Sequence, residues 1–353
     1  MMSAGALELR DVVARSFQFH RVAYISITQK CPLTCRHCFV ESSPLRQEAV
    51  NEGQILSWFG GMESPPLDTI IVSGGEPFAN PRTLAACLRE CRKRDIASVV
   101  ATSGYWAKSL SAGERFLDRF PPIDFLWFST DVYHEEFVPL AELRNAAQVA
   151  RERGIGIGFQ LIADDSQDSD FVRRFFAEVD PERAYERSIL YVPLGKEGRA
   201  ADLGGLQQSG GKRSLGAVPD GPCEWLGTPW IHEDGAVCAC PNLDVHRRAG
   251  HPLNLGNLNE MSFAEISRSA NDSLYLQALR TLGPSGIADE VPLEVFGVDL
   301  AAFRGATICD LCHAIAAVPG AASKIEGHMR TSGWASRITA LRAVAHGELH
   351  GHG

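Results

Sequence analysis

Cys31-Pro32-Leu33-Thr34-Cys35-Arg36-His37-Cys38 follows directly on the β-rich run Val22–Thr28. Thiols this close can wrap one face of an iron–sulfur cubane. A cubane has four irons, so three ligands leave one iron open to a further ligand, which a fourth thiolate would forbid. A zinc knuckle is the competing reading. Zinc wants a fourth ligand nearby, and His37 is tied between two of the cysteines.

Working outward, the next β-rich run ends in Ile70-Ile71-Val72-Ser73-Gly74-Gly75-Glu76-Pro77. Two glycines let the backbone approach a ligand, and Glu76 follows at the C-terminal end of the strand, where parallel α/β folds place their sites. A Gly-Gly turn before a capped helix is the plainer reading of the same residues. Further strands are expected at Ser98–Thr102, Phe125–Ser129, Ile155–Ala163 and Ser188–Val192. Helices fit between them. Asn51 caps one, with Gln54 at the capping-box position. Asn80 and Pro81 read as N-cap and N1 of the next. Leu140, Leu143, Ala147 and Ala150 form an apolar stripe that Gly154 ends. Repeated βα units with short loops mean parallel strands and right-handed crossovers. Six units do not complete an eight-stranded barrel. The expected fold class is α/β, an open partial (β/α)6 TIM-type barrel, with a flat doubly wound sheet second.

Composition agrees with a folded enzyme-sized chain: 353 residues, 45% hydrophobic and 22% charged. Lys+Arg 34 against Asp+Glu 43 gives net −9, the wrong sign for holding nucleic acid by bulk charge. No run approaches the ~18 apolar residues of a membrane span. Arg10, Asp11 and Arg15 interrupt the N-terminus, which is not a signal peptide. No membrane or nucleic-acid partner and a cytoplasmic location are expected. The chain has ten cysteines. Their tight clustering without an export signal favours metal or iron–sulfur ligation over disulfides. Cys87 and Cys91 share an apolar helix stripe with Leu84 and Leu88 and read as buried free thiols.

The Cys31/Cys35/Cys38 spacing together with Gly74-Gly75-Glu76-Pro77 resembles the radical SAM superfamily over roughly residues 20–200, and the βα units match its partial barrel. The resemblance implies that a 4Fe–4S cluster on Cys31, Cys35 and Cys38 chelates S-adenosylmethionine. One electron then cleaves the sulfonium to a 5′-deoxyadenosyl radical, which abstracts a substrate hydrogen. Gly74, Gly75 and Glu76 would hold the methionine amino group. Ser129 and Asp131, in Phe128-Ser129-Thr130-Asp131, match the ribose-contact pattern. Two departures stand out. The position before the last cysteine is usually Tyr, Phe or Trp and is His37 here. The fifth-strand Gly-rich motif has no clean match near Gly154–Gly158, which leaves Val192 and Pro193 as candidates for adenine contacts.

The later cysteines resemble the auxiliary-cluster extension of that family, the short twitch form of the SPASM domain. Its implied ligands for a second 4Fe–4S cluster are Cys223, Cys240, Cys309 and Cys312, with Cys238 as the competitor of Cys240. A structural zinc site on the same thiols is the alternative. The expected organisation is an N-terminal extension (1–20), the barrel (21–201), a Gly-rich linker (202–222), a small C-terminal α+β auxiliary-cluster domain (223–320), and a C-terminal helix and tail (321–353). Asp234-Gly235 signals a hairpin. Helical patterns return near Ser262–Ser267 and Tyr275–Leu282, and His346, His350 and His352 belong to a frayed end.

Around the expected rim, Tyr105, Trp106 and Lys108 follow the third strand and Tyr133, His134, Glu135 and Glu136 the fourth. His134 and Glu135 are the candidate proton acceptors as a substrate radical forms. A fully ligated second cluster suits electron transfer in a net oxidation. The short stretch before the first strand favours a small natural-product intermediate (a sugar, aminocyclitol or nucleoside). A maturase acting on a ribosomal peptide is the alternative, and a non-catalytic zinc scaffold is a third reading. The implied electron donor is of flavodoxin or ferredoxin type.

Overall fold

The computed structural model describes residues 7–10, 21–62, 67–162, 170–192, 194, 197–203, 218–292, 298–334, 336–338 and 340. Most of the expected Gly-rich linker (204–217), Pro193, and the tail with His346, His350 and His352 lie outside the described residues.

The first half is a run of parallel strands: β1 (Val22–Ser26), β2 (Thr69–Ser73), β3 (Ala97–Thr102), β4 (Phe125–Thr130), β5 (Gly156–Ile162) and β6 (Ile189–Val192). Each pairs with the next in chain order. The sheet order β6-β5-β4-β3-β2-β1, continued past β1 by three strands of the C-terminal half, leaves the barrel open. Strand alternation gives the sheet two apolar faces. Ala23, Ile25, Ile70, Val72, Val100, Leu126, Phe128 and Phe159 face the helices and pack with Ile55, Trp58, Phe59, Leu84 and Leu143. Each large side chain buried this way contributes roughly 1.5–3 kcal/mol. The opposite, concave face carries Val22, Ile71, Val99, Phe125 and Trp127, with Tyr24, Leu190 and the N-terminal Leu7 and Leu9 against them.

That N-terminal segment explains the glycines of β5. A Cβ on Gly156 would lie 2.1 Å from Leu7 O, and one on Gly158 would lie 2.9 Å from the Phe125 ring. These glycines make room for the segment and for Phe125 on the concave face.

The capping box on the helix Glu52–Gly60 forms as expected between Asn51 and Gln54. Asn80 departs from expectation. It makes no side-chain cap, because its Nδ2 is drawn away to Ile27 O at 3.3 Å and Val50 O at 3.1 Å. It ties a helix start to the strand that feeds the cysteine loop. The helix Leu140–Glu152 ends as expected, with Gly154 at φ +68.

The C-terminal half starts with a hairpin, β7 (Trp230–Ile231) and β8 (Ala236–Cys238), turning at Gly235 with φ +88. β9 (Asn254–Asn257) pairs antiparallel with β8. The hairpin is not a separate sheet. β7 adds in parallel to β1 with Tyr24 opposite Trp230, and the two rings stack at 4.0 Å and 4°. A second core forms behind it from Leu226, Leu253, Tyr275, Leu279, Leu311, Ile315, Ile325 and Met329. Cys309 and Cys312 lie on the helix Ile308–Ala317, which Thr307 and Asp310 cap reciprocally.

No single helix among the described residues is long and apolar enough to cross a membrane. The pair Ile308–Ala317 and Ala321–Thr331 passes by composition, but it bends by 97°. Its Leu311, Ile315, Ile325 and Met329 are buried in the second core.

Candidate active site and its two cysteine sets

The cysteine loop leaves β1 and lies directly on the Gly-Gly turn after β2. Gly75 N donates to Thr28 O at 2.6 Å and Glu76 N to Lys30 O at 3.0 Å. A Cβ on Gly74, whose φ is +129, would fall 2.3 Å from Thr28 O, and one on Gly75 would fall 2.5 Å from Lys30 O. Only glycine permits this approach. The two loops share the C-terminal rim of the sheet, as their positions one βα unit apart imply.

Around the thiols, Leu33, Tyr133 and Val138 are buried, with Tyr105, Leu194 and Leu203 packed against them. Burial, then the Glu76 carboxylate, pushes the Cys31 thiol up to about 12. Burial, then its neighbours Cys31 and Cys38, also pushes Cys35 up. Converging buried thiols of this kind hold their protons until a metal displaces them.

Glu76 is 1% exposed. Its Oε2 accepts from Thr102 Oγ1 at 3.1 Å, Ser103 N at 3.0 Å and Ser103 Oγ at 3.0 Å. Its Oε1 faces Phe78 N at 3.4 Å. The side chain that the resemblance assigns to the methionine amino group thus clamps the end of β2 to the end of β3.

Asp131 is the residue expected to contact the ribose. It is 1% exposed, and Oδ1 accepts from Tyr133 N at 2.8 Å and His134 N at 3.0 Å. Oδ2 meets His134 Nδ1 at 2.8 Å and His37 Nε2 at 3.3 Å. All its acceptor sites are filled. Burial alone would raise this carboxyl, but the imidazoles of His134 and His37 outweigh it and hold it well below the usual carboxylate range. His37 stacks on Tyr133 at 4.7 Å. The unusual residue before the last cysteine thus joins a His37–Asp131–His134 hydrogen-bonded set. Nδ1 of His134 faces Asp131.

Glu135, the other candidate proton acceptor, is ion-paired. Arg174 holds both its oxygens, with Nη2 at 2.7 Å from Oε2, and Glu136 is likewise paired with Arg36. Ser129 is half-buried on the concave face of β4, opposite Gln160 of β5. Ser26 and Ser73 form a matching pair across β1 and β2. This polar layer sits above the apolar floor of Tyr24, Ile71 and Trp127.

In the C-terminal half, Cys240 is pushed well up by burial and then by Cys223, Cys312 and Cys309. Cys312 feels Cys223 and Cys309, and Cys309 feels Cys223. Cys238, fully buried in the second core, is pushed up to about 12 by burial and then by Asp234, with none of the other thiols contributing. Alternation would set Cys238 and Cys240 on one face, but β8 ends at Cys238, and beyond that end Cys240 is the one that converges with the other three.

Among the described residues, the His, Cys, Asp and Glu ligand atoms that come mutually within 4.8 Å in a group are those of His37, Asp131 and His134. Their hydrogen bonds account for that group. The donor chemistry of both cysteine sets, thiols alone, fits an iron–sulfur cluster and zinc alike.

Two side chains at the site carry no sequence motif. Arg199 Nε donates to Cys35 O at 2.9 Å. Glu233, in the β7–β8 turn, accepts from Gln29 Nε2 at 3.0 Å and Ser26 Oγ at 3.3 Å. Both reach the cysteine loop from far along the chain, so local pattern gives no signal for either.

The chain is similar to known proteins in sequence and in fold. Residues 25–153 match the sequence profile of the Radical SAM superfamily. The chain therefore carries a radical SAM domain, the domain of enzymes that use S-adenosylmethionine with a 4Fe–4S cluster. It is similar to YydG of Bacillus subtilis (strain 168), a protein named for peptide biosynthesis, at 21% identity over 139 residues. That alignment covers 38% of this chain and 43% of YydG, so it spans less than half of the relative. The fold is similar to that of anSMEcpe solved with bound AdoMet and Cp18Cys peptide. There the TM-score is 0.50 at 12% identity, over 92% of this chain and 99% of that one. BtrN in complex with AdoMet and 2-DOIA matches more loosely, with a TM-score of 0.42 at 10% identity over 76% of this chain and 90% of that one.

Proposed function

We propose that the chain binds S-adenosylmethionine at a 4Fe–4S cluster on Cys31, Cys35 and Cys38 and abstracts hydrogen from a substrate C–H bond. The carrying observation is the seating of the three-cysteine loop on Gly74–Gly75 at the C-terminal rim. When bound, the cluster and S-adenosylmethionine supply a 5′-deoxyadenosyl radical. The chain's own residues have four tasks. Gly74 and Gly75 offer backbone at close range, and Leu33, Tyr105, Tyr133 and Val138 keep water from the thiols. Asp131 fixes the imidazole tautomers, and His134 Nε2 takes a proton from the substrate. Cys223, Cys240, Cys309 and Cys312 would hold a second cluster that accepts an electron in a net oxidation.

A peptide side chain is the substrate class favoured by the similarity to a peptide biosynthesis protein. The exposed Val132 and Phe137, which flank His134 on the rim, suit such a substrate. A small polyhydroxylated intermediate is the second reading, and the polar layer of Ser26, Ser73, Ser129 and Gln160 on the concave face favours it.

The test is anaerobic reconstitution with iron and sulfide, followed by reduction in the presence of S-adenosylmethionine. A brown protein that forms 5′-deoxyadenosine is expected. Replacing Cys31, Cys35 and Cys38 together with Ala should abolish the nucleoside and leave the second set's iron. 5′-Deoxyadenosine from that triple variant would sink the assignment.

A further inference from the structure

The segment after β6 touches both cysteine sets. Arg199 N donates to Cys38 O at 3.1 Å and Arg199 Nε to Cys35 O at 2.9 Å. Its Nη2 is buried without a hydrogen-bond partner among the described residues. Gly198 has φ +58, and a Cβ there would lie 2.4 Å from Phe39 O and 2.6 Å from Cys38 O. The start of the 3-10 turn Gly198–Asp202 is therefore pressed against the cysteine loop at a point only glycine allows. One residue earlier, Glu197 Oε1 accepts from Asn242 Nδ2 at 2.9 Å, and the backbone N–H of Asn242 turns to the Cys240 sulfur.

We propose that Glu197–Gly198–Arg199 is a strap that fixes the two cysteine sets to each other, with Arg199 a positioning residue whose charge eases reduction of a cluster on the first set. The proposal rests on the reading that both sets hold iron–sulfur clusters. Reduction by a one-electron donor adds a negative charge to the cluster, and a guanidinium fixed beside the cysteine loop by its bonds to Cys35 and Cys38 stabilises that state. Through Gly198 and Glu197, displacement of one cysteine set is passed to the other without an intervening flexible loop.

The experiment uses the full chain with both sets reconstituted, titrated potentiometrically with dithionite and mediators and followed by EPR. Arg199→Gln removes the charge. At a fixed potential the ratio of reduced to oxidised first cluster should fall about tenfold, which is about 59 mV for one electron. The second signal should not move. Arg199→Lys keeps the charge but loses the Nε bond, and should titrate near the parent protein. An unchanged potential in Arg199→Gln, or an equal fall in both variants, overturns the proposal.

If Arg199→Gln holds no first cluster, Gly198→Ala decides the matter, since it alters no charge and lifts the strap from Phe39 and Cys38. It should change the EPR line shape of both clusters, and unchanged spectra overturn the proposal. A parent protein that takes up no iron would instead refute the proposed function, so the two failures are distinct.

Discussion

Gly75→Ala tests whether the Gly-Gly turn is built for close approach or is only a turn. The added methyl would lie 2.5 Å from Lys30 O, 2.8 Å from Lys30 C and 3.0 Å from Gln29 C. All three are backbone atoms, so no side chain can swing aside. Relief requires the loop to move by roughly half an ångström or more, and overpacking of this kind costs about 1–3 kcal/mol. Moving the loop also strains two hydrogen bonds, Gly75 N to Thr28 O and Glu76 N to Lys30 O, each worth about 1 kcal/mol net. The total is about 3–5 kcal/mol against the loop geometry that presents Cys31. The assay is iron content after anaerobic reconstitution, beside S-adenosylmethionine affinity. About half the iron should be lost, and what remains should belong to the C-terminal set. Gly154→Ala is the control. Its φ of +68 carries backbone strain, but nothing lies within 4 Å of the added carbon, so it should lower stability by about 1 kcal/mol and leave iron uptake unchanged. Full iron and normal affinity in Gly75→Ala would refute the close-approach argument.

Cys240→Ser should lose the second cluster, whereas Cys238→Ser should keep it; iron content and EPR distinguish them. Cys309→Ala/Cys312→Ala should still form 5′-deoxyadenosine but not oxidised product, and normal product yield would rule out the electron-acceptor role. Asp131→Asn should cost about 2–3 kcal/mol at pH 7, the worth of hydrogen bonds to a buried charge. The folded Asp131 carboxyl is depressed below its ordinary 3.8, so its contribution is present above about pH 4 and fades as acid protonates it. The stability gap between parent and Asn variant, measured by denaturant melts, should therefore narrow below about pH 4. A pH-independent gap would contradict the ionic account.

What the sequence discloses here is what is local. Cys31, Cys35 and Cys38 are adjacent to a strand that alternation and β-branching announce, and the Asn51–Gln54 box is a three-residue signal. Pairs separated by long stretches of chain leave no such trace. Arg199 lies 164 residues from Cys35, and Glu233 lies 204 residues from Gln29. Glu135 looks like a free base until Arg174 arrives from another helix. Asn80 fits the pattern of a cap, yet two carbonyls on neighbouring elements compete for it and win. Cys238 and Cys240 are equivalent by spacing, and only the end of β8 between them, which turns Cys240 toward Cys223, Cys309 and Cys312, separates them. The glycines of β5 fit no ligand motif because they answer to the N-terminal segment packed beside them.

The pairing of β7 with β1 places the nominal domain border in the middle of a sheet. A chain shortened before Cys223 would strip β1 of a neighbour and leave Tyr24 without the indole stacked on it at 4.0 Å. The result is a raw strand edge carrying an uncovered aromatic, the kind of surface that recruits other chains. Anyone seeking a minimal barrel from this protein should expect insoluble material. A grafted replacement for the C-terminal half would need a parallel strand with a flat aromatic side chain at the position of Trp230.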